Sequence, residues 1–251
     1  MTPTVKDLYA LIDQMAPFAT QEAWDNAGLL AGAPDRAVSA VVCALDLTGE
    51  VIEFAQSVGA QLIVTHHPIL FHARKHLRED DPEGALLCQL IRSGCALIAA
   101  HTNFDRAQGG VNDCLAQRLG LENVTALEDG LRLGDWHGTL KSLGALCEER
   151  LGGTVRFYGS AEQAITRVAV CGGAGGSLWK IAHAAGADCF VTGEVHHSDA
   201  LDATSWGMTL LECGHLETER PSVKAMRMGL QNRLDALQWD VMVVECQSKP
   251  F

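Results

Sequence analysis

Two stretches of the chain repeat one succession of apolar and polar positions. Over residues 48–67 (TGEVIEFAQSVGAQLIVTHH), Val51, Phe54, Ala55 and Val58 recur at helical spacing and lead into the apolar run QLIVT. Over 175–194 (GGSLWKIAHAAGADCFVTGE), Leu178, Ile181, Ala182 and Ala185 do the same ahead of DCFVT. A strand-like run precedes each helix, VSAVVCAL at 38–45 and ITRVAVCG at 165–172. Strand, helix and strand, twice over, predict parallel crossovers, the units of α/β sheets with helices on their faces.

The likeness extends to identities. At a constant offset Gly49, Ala55, Gly59, Ala60, Val64 and Thr65 meet Gly176, Ala182, Gly186, Ala187, Val191 and Thr192. At a shifted register CALIAAHTNFD (95–105) and TLLECGHLETE (209–219) are apolar runs ending in a histidine with an acid four residues on: His101 with Asp105, His215 with Glu219. The expected fold is therefore α/β, with two related lobes whose mixed or parallel sheets are flanked by helices. Polar side chains gather at the C-terminal strand ends, where open α/β sheets bind ligands. Residues 1–125 are expected to form the first lobe, completed by 218–251 through the strand-like LQWDVMVVE, and 126–217 the second, with 126–137 as the passage between them. PEGALLCQLIRSG, GGVNDCLAQRLGL and PSVKAMRMGLQNRL read as further helices, the last opening on Pro221.

Composition narrows the function classes. No apolar run reaches the roughly 18 residues of a membrane helix, and MTPTVKDLYALIDQM lacks the basic and apolar blocks of a secretory signal. A cytoplasmic protein without a membrane partner is expected. Nine cysteines with no CxxC spacing predict reduced thiols, most of them buried as small hydrophobes. Acids outnumber bases 31 to 19, a net charge of −12 that repels a phosphate backbone, and no Lys/Arg cluster offsets it. Nucleic acid is therefore not an expected partner. A small anionic substrate stays compatible, because a bound metal supplies positive charge that the count omits.

The metal enters through LIVTHHPIL (62–70). Pro68 ends the strand and biases His67 away from helix. Successive side chains at a strand end diverge, so His66 and His67 are poorly placed to share one ion but can each reach one of two. A dinuclear centre needs bridging carboxylates, and Asp105 and Glu219 are candidates. Taken singly, Asp105 reads equally as a turn or cap residue and Glu219 as a helix-start acid favoured by the dipole. As a set, His66, His67, Asp105, His215 and Glu219 point to metal. Glu194 stands in the repeat where His67 does, followed by His196 and His197, a wall that backs the ligands or faces the substrate. CGGAGGS (171–177) reads as an anion cradle or as a tight turn that lets helices pack. Trp24, Asp25 and Asn26 in EAWDNAGLL read equally as a capping group. No serine sits in a nucleophile elbow.

WDNAGLL, VTHHPILF, AAHTNFDRAQGGVND, CGGAGGS, TGEVHHSDA and GHLETE occur in this order in the GTP cyclohydrolase 1 type 2 homologues, also called Ngg-one-interacting-factor-three-like or YbgI-type proteins. The chain resembles that family from about Trp24 onward. The resemblance implies two α/β lobes with a dinuclear metal centre between them and a toroidal homohexamer. Its ligands would be His66, His67, Asp105, His215 and Glu219, with His101 close by. Two divalent ions per chain are expected, and mixed imidazole and carboxylate donors suit zinc, iron, manganese or nickel. The short segment after LGLENVTAL leaves out the central domain that longer members insert. The expected activity is metal-dependent hydrolysis of a nucleotide-like or other small substrate, by ring opening or phosphoester cleavage, with His101 or Glu194 shuttling the proton. The alternative is a metal-stabilised ring scaffold or regulatory adaptor.

Overall fold

A computed structural model describes residues 2–247. The chain divides into two compact units: one runs to Gln108 and resumes at Val223, and the other spans Gly109–Ser222. In chain order the first unit contains α1 (Val5–Met15), β1 (Gly28–Ala31), β2 (Ala40–Ala44), α2 (Gly49–Ser57), β3 (Leu62–Thr65), α3 (Pro82–Ser93), β4 (Ala96–Ala99) and α4 (Thr102–Arg106). The second contains α5 (Val111–Leu119), β5 (Glu122–Ala126), β6 (Arg132–Thr139), α6 (Leu140–Leu151), β7 (Arg156–Tyr158), β8 (Ala164–Cys171), α7 (Trp179–Ala184), β9 (Cys189–Thr192), α8 (His197–Ser205), β10 (Thr209–Glu212) and α9 (His215–Glu219). Helix α10 (Pro221–Ala236) and strand β11 (Met242–Glu245) follow.

Both sheets are mixed, and they share a nucleus. In the first, ordered β1-β4-β3-β2-β11, the strands β4, β3, β2 and β11 are parallel and β1 is antiparallel to β4. In the second, ordered β5-β6-β8-β9-β10-β7, strands β8, β9 and β10 are parallel and β7 is antiparallel to β10. The repeated stretches thus become equivalent crossovers, β2–α2–β3 and β8–α7–β9, each continued by a parallel strand and edged by an antiparallel one. Every residue of β2, β3 and β4 is buried, as a parallel sheet covered on both faces requires, and this is why those strands read as unbroken apolar runs.

Residues 126–137, expected as a passage, instead lie in the second sheet: Ala126 closes β5, and β6 pairs antiparallel with both β5 and β8. The polar EDG read as linker is the turn between two strands. Asp129 (φ 52°) and Gly130 (φ 81°) supply its left-handed backbone.

Alternation in β8 divides the core of the second unit. Val168 and Val170 face α5 and α6 through Leu115, Leu119, Leu143 and Cys147, while Ala169 and Cys171 face Trp179, Phe190 and Ala203. In the first unit Val42, Val51, Ile52, Ile63, Leu90 and Leu97 form one buried cluster. Helix starts are capped: Thr4 accepts from Asp7 N in a reciprocal box, Thr48 from Val51 N and Asp81 from Gly84 N. Among the described residues no helix is long and apolar enough to cross a membrane. None of the nine cysteines is in a disulfide among the described residues, and six of them are buried.

Candidate metal centre

Three adjacent parallel strands of the first unit end side by side, and their next residues converge. His66 and His67 follow β3, Asp46 follows β2, and His101 follows β4. The backbone N–H groups of His66 and His67 donate to Leu45 O at 3.1 and 3.0 Å, which fixes where the two side chains depart. The rings of His66, His67 and His101 lie 4.9–5.6 Å apart centre to centre. One ring nitrogen of each falls within 4.8 Å of the others, close enough to hold a metal ion. Asp105 sits one turn along α4 from His101, its Oδ1 3.6 Å from His66 Nε2.

Each imidazole is held by its other nitrogen. His66 Nδ1 donates to Ala100 O (2.9 Å), His67 Nδ1 to Asp46 Oδ1 (2.7 Å) and His101 Nδ1 to Asp25 Oδ1 (2.8 Å). A carbonyl or carboxylate oxygen only accepts, so Nδ1 carries a proton, and in the neutral ring Nε2 carries the lone pair. An Nδ1–H clamped by an oxygen is the usual support of a metal-ligating histidine.

The second unit repeats the device. His215 opens α9 after β10, its Nδ1 2.8 Å from Glu194 Oε1 and its Nε2 3.2 Å from Glu219 Oε2. Glu219, one turn on, is buried at 4% exposure. In the neutral ring the Nε2 lone pair faces a carboxylate oxygen, two acceptors that either a proton or a bound cation reconciles. Ligand atoms of a tetrahedral ion at ~2.1 Å stand about 3.4 Å apart, and the His66–Asp105 and His215–Glu219 separations bracket that value. The donors fit divalent metal.

A profile of the Duf34/NIF3 (NGG1p interacting factor 3) family matches residues 3–250. The chain belongs to this family. Among its curated relatives, a GTP cyclohydrolase 1 type 2 homolog of Streptomyces coelicolor is 34% identical, over 96% of this chain and 90% of that one. A protein of the same description from Clostridium perfringens is 30% identical, over 92% and 93%. A hypothetical protein of Staphylococcus aureus has a crystal structure that superposes with a TM-score of 0.95 at 29% identity, covering 100% and 99% of the two chains.

In this Duf34/NIF3 chain, several residues have roles that the sequence pattern leaves open or does not mark. Asp25 caps and clamps at once: besides His101 it accepts from Thr102 N (3.1 Å) and Thr102 Oγ1 (2.5 Å), and its side chain is fully buried. Burial pushes its carboxyl up, but the hydrogen bonds from His101 and Thr102 outweigh that and hold it well below the usual carboxylate range. Asp46 is missing from the candidates that the motifs supply. Its one signal is an acid at the end of the strand beside THHP. Glu194, expected as a proton shuttle, orients His215 and is itself exposed. His197 begins α8 and His196 precedes it; neither belongs to the histidine groups described here.

CGGAGGS resolves as the tight turn. Gly172 N donates to Asn112 Oδ1, Gly173 N to Thr218 Oγ1 and Gly176 N to Glu194 O, so these amides are not available as an anion cradle. Gly173 has φ +64°, and a Cβ there would strike Glu219 Oε1 and stand 3.2 Å from His215 Nε2. The glycine is what lets this loop lie against the histidine–glutamate pair.

Proposed function

We propose that this Duf34/NIF3 protein is a metal-dependent hydrolase acting on a nucleotide-like or other small substrate, with two divalent ions per chain. His66, His67 and Asp105 of the first unit and His215 and Glu219 of the second would be the ligands. One observation carries the reading: His66, His67 and His215 have Nδ1 engaged by an oxygen, which leaves Nε2 as a ligand atom on each. The count of donors supports two ions, because five ligands with two carboxylates exceed what one tetrahedral ion takes and offset part of the charge of a pair. Zinc, iron, manganese and nickel all suit such donors.

When bound, ions of this kind supply Lewis acidity and a water that deprotonates near neutral pH. The protein does the rest. Asp25 keeps the proton of His101 on Nδ1, so His101 Nε2 is the atom that would take a proton from a reacting oxygen and return it to the leaving group. Glu194 and Asp46 position His215 and His67. Hydrolysis of a phosphoester or of a polarised C=N would use the same groups. The reading includes a cytoplasmic setting, supported by nine cysteines outside any disulfide, and the homohexamer that the family resemblance implies.

Metal analysis of protein purified without chelator tests the centre. Two ions per chain are expected, falling when His67 is replaced by alanine; one ion or none would refute the dinuclear reading. Metal-loaded protein that turned over neither nucleotides nor a phosphoester panel would favour the scaffold alternative.

A further inference from the structure

The first unit carries a cleft that the metal-centre reading does not use. It measures about 860 Å³ and runs between Trp24–Asn26 and the loop of residues 70–77. Three large apolar side chains stand in solvent on its walls: Trp24 at 59% exposure, Phe71 at 41% and Leu77 at 48%. Trp24 and Phe71 meet edge to face at 5.7 Å, and each also rests edge-on against His101, at 6.1 and 6.2 Å. Asn26 Nδ2 donates to Leu70 O at 2.7 Å and ties the two walls together. Three consecutive residues therefore act in concert. Trp24 faces the cleft, Asp25 holds His101, and Asn26 braces the opposite wall.

The charge on this wall departs from that of the chain. HARKHLR (72–78) gathers three cations and two imidazoles, a local basic run that corrects the expectation of no Lys/Arg cluster. Arg74 pairs with Asp81 and Glu83, and Arg78 with Asp80. Lys75, which lines the cleft with His72 and His76, has no ion pair among the described residues.

We infer that this cleft binds a planar aromatic ring carrying a phosphomonoester, the chemistry of a nucleoside monophosphate. The ring lies against Trp24 and Phe71 and the phosphate meets Lys75. Exposed aromatic faces stack on any base without demanding its identity, and Lys75 is a point charge suited to phosphate. Contact of both aromatic rings with His101 sets the bound molecule beside the histidine cluster. The inference rests on the proposed function for what then happens to the ligand, but not for its binding.

The test is calorimetric titration of the full metal-loaded chain with AMP, GMP, CMP and UMP, using the matching nucleosides and ribose 5-phosphate as part-ligands. At least one nucleotide is expected to saturate the protein and to bind more tightly than either of its parts. Trp24→Ala should weaken it roughly tenfold or more, as loss of one base–aromatic stack does, and Trp24→Phe should restore most of that. Lys75→Gln should weaken the nucleotide and leave the nucleoside unchanged. No saturation by any of the four, or equal affinity in Trp24→Ala, overturns the inference. Metal content measured on the same samples separates the two readings. Two ions with no nucleotide binding remove the cleft and leave the centre; Trp24-dependent nucleotide binding without metal removes the centre and leaves the cleft.

Discussion

Replacing Asp25 by asparagine changes one oxygen to an NH₂ and tests whether the clamp on His101 serves its proton transfer. The carboxylate accepts four hydrogen bonds, from His101 Nδ1, Asn26 N, Thr102 N and Thr102 Oγ1, in a site with no solvent access to its side chain. Each bond to a charged group contributes roughly 1.5–3 kcal/mol, but each oxygen is shared by two donors, so a total of about 3 kcal/mol is the reasonable expectation for Asp25→Ala. With a urea m-value of ~2 kcal/mol/M, that moves the midpoint of the first unit down by ~1.5 M. Asparagine keeps the volume and can still accept from Thr102, so its cost should be about 1–2 kcal/mol. Its amide, however, presents a donor to His101 Nδ1, which must then accept and move its proton to Nε2. Hydrolytic turnover by the metal-loaded protein should fall about 100-fold or more, the usual contribution of a positioned acid–base group, out of proportion to the modest loss of stability, with metal content unchanged. Urea unfolding and turnover of a nucleotide or phosphoester read the two effects separately. Asp25→Asn protein that turns over like the wild type would show that the tautomer of His101 does not matter and refute the reasoning.

Two further outcomes follow from the second unit. Gly173→Ala forces a Cβ into a left-handed position and against Glu219; it should cost about 1–3 kcal/mol and lower metal content, and an unchanged melting temperature would contradict the close approach described above. Asp188 accepts from Thr166 Oγ1 (2.6 Å), Thr166 N (2.8 Å) and Arg167 N (2.9 Å). Burial pushes its carboxyl up, but these bonds prevail and hold it below its ordinary value of 3.8. Its stabilisation is therefore full above pH ~4 and disappears as pH falls through the lowered pKa. Asp188→Ala should cost about 1–2 kcal/mol at pH 7, reduced by partial exposure, and the gap from wild type should close in melts taken below pH 4.

The sequence exposes what is periodic or chemically unusual. Buried parallel strands are apolar throughout, so β2, β3, β8 and β9 stand out, and the internal repeat aligns them without a structure. Adjacent histidines before a proline are rare enough to flag a site. Elements defined by cross-strand partners leave less trace. Strand β6 is buried only over its first three residues and carries Gly134, Asp135 and Gly138, and its turn resembles a linker. The supports of the site are less visible still, because Asp25 and Asp46 lie 76 and 21 residues from the histidines they hold. No local spacing relates them. The basic run at 72–78 is passed over as no cluster because acids follow it at 79–83; only the fold shows which of its cations meet acids and that Lys75 faces the cleft.

Strand β11 pairs with β2, so Val243 lies beside Val41 roughly 200 residues away in the chain. A ribosome adding about 5–20 residues per second takes some 10–40 s to travel between them. During that interval β2 lacks one neighbour, and its apolar edge can recruit any other strand, including one from another nascent chain. The second unit has no such debt, since all its strands fall within a continuous segment. Synthesis therefore completes the interrupted unit last, after the one inserted into it. A chaperone-depleted translation system should accumulate aggregates through the first unit's sheet while the second unit is already protease-resistant.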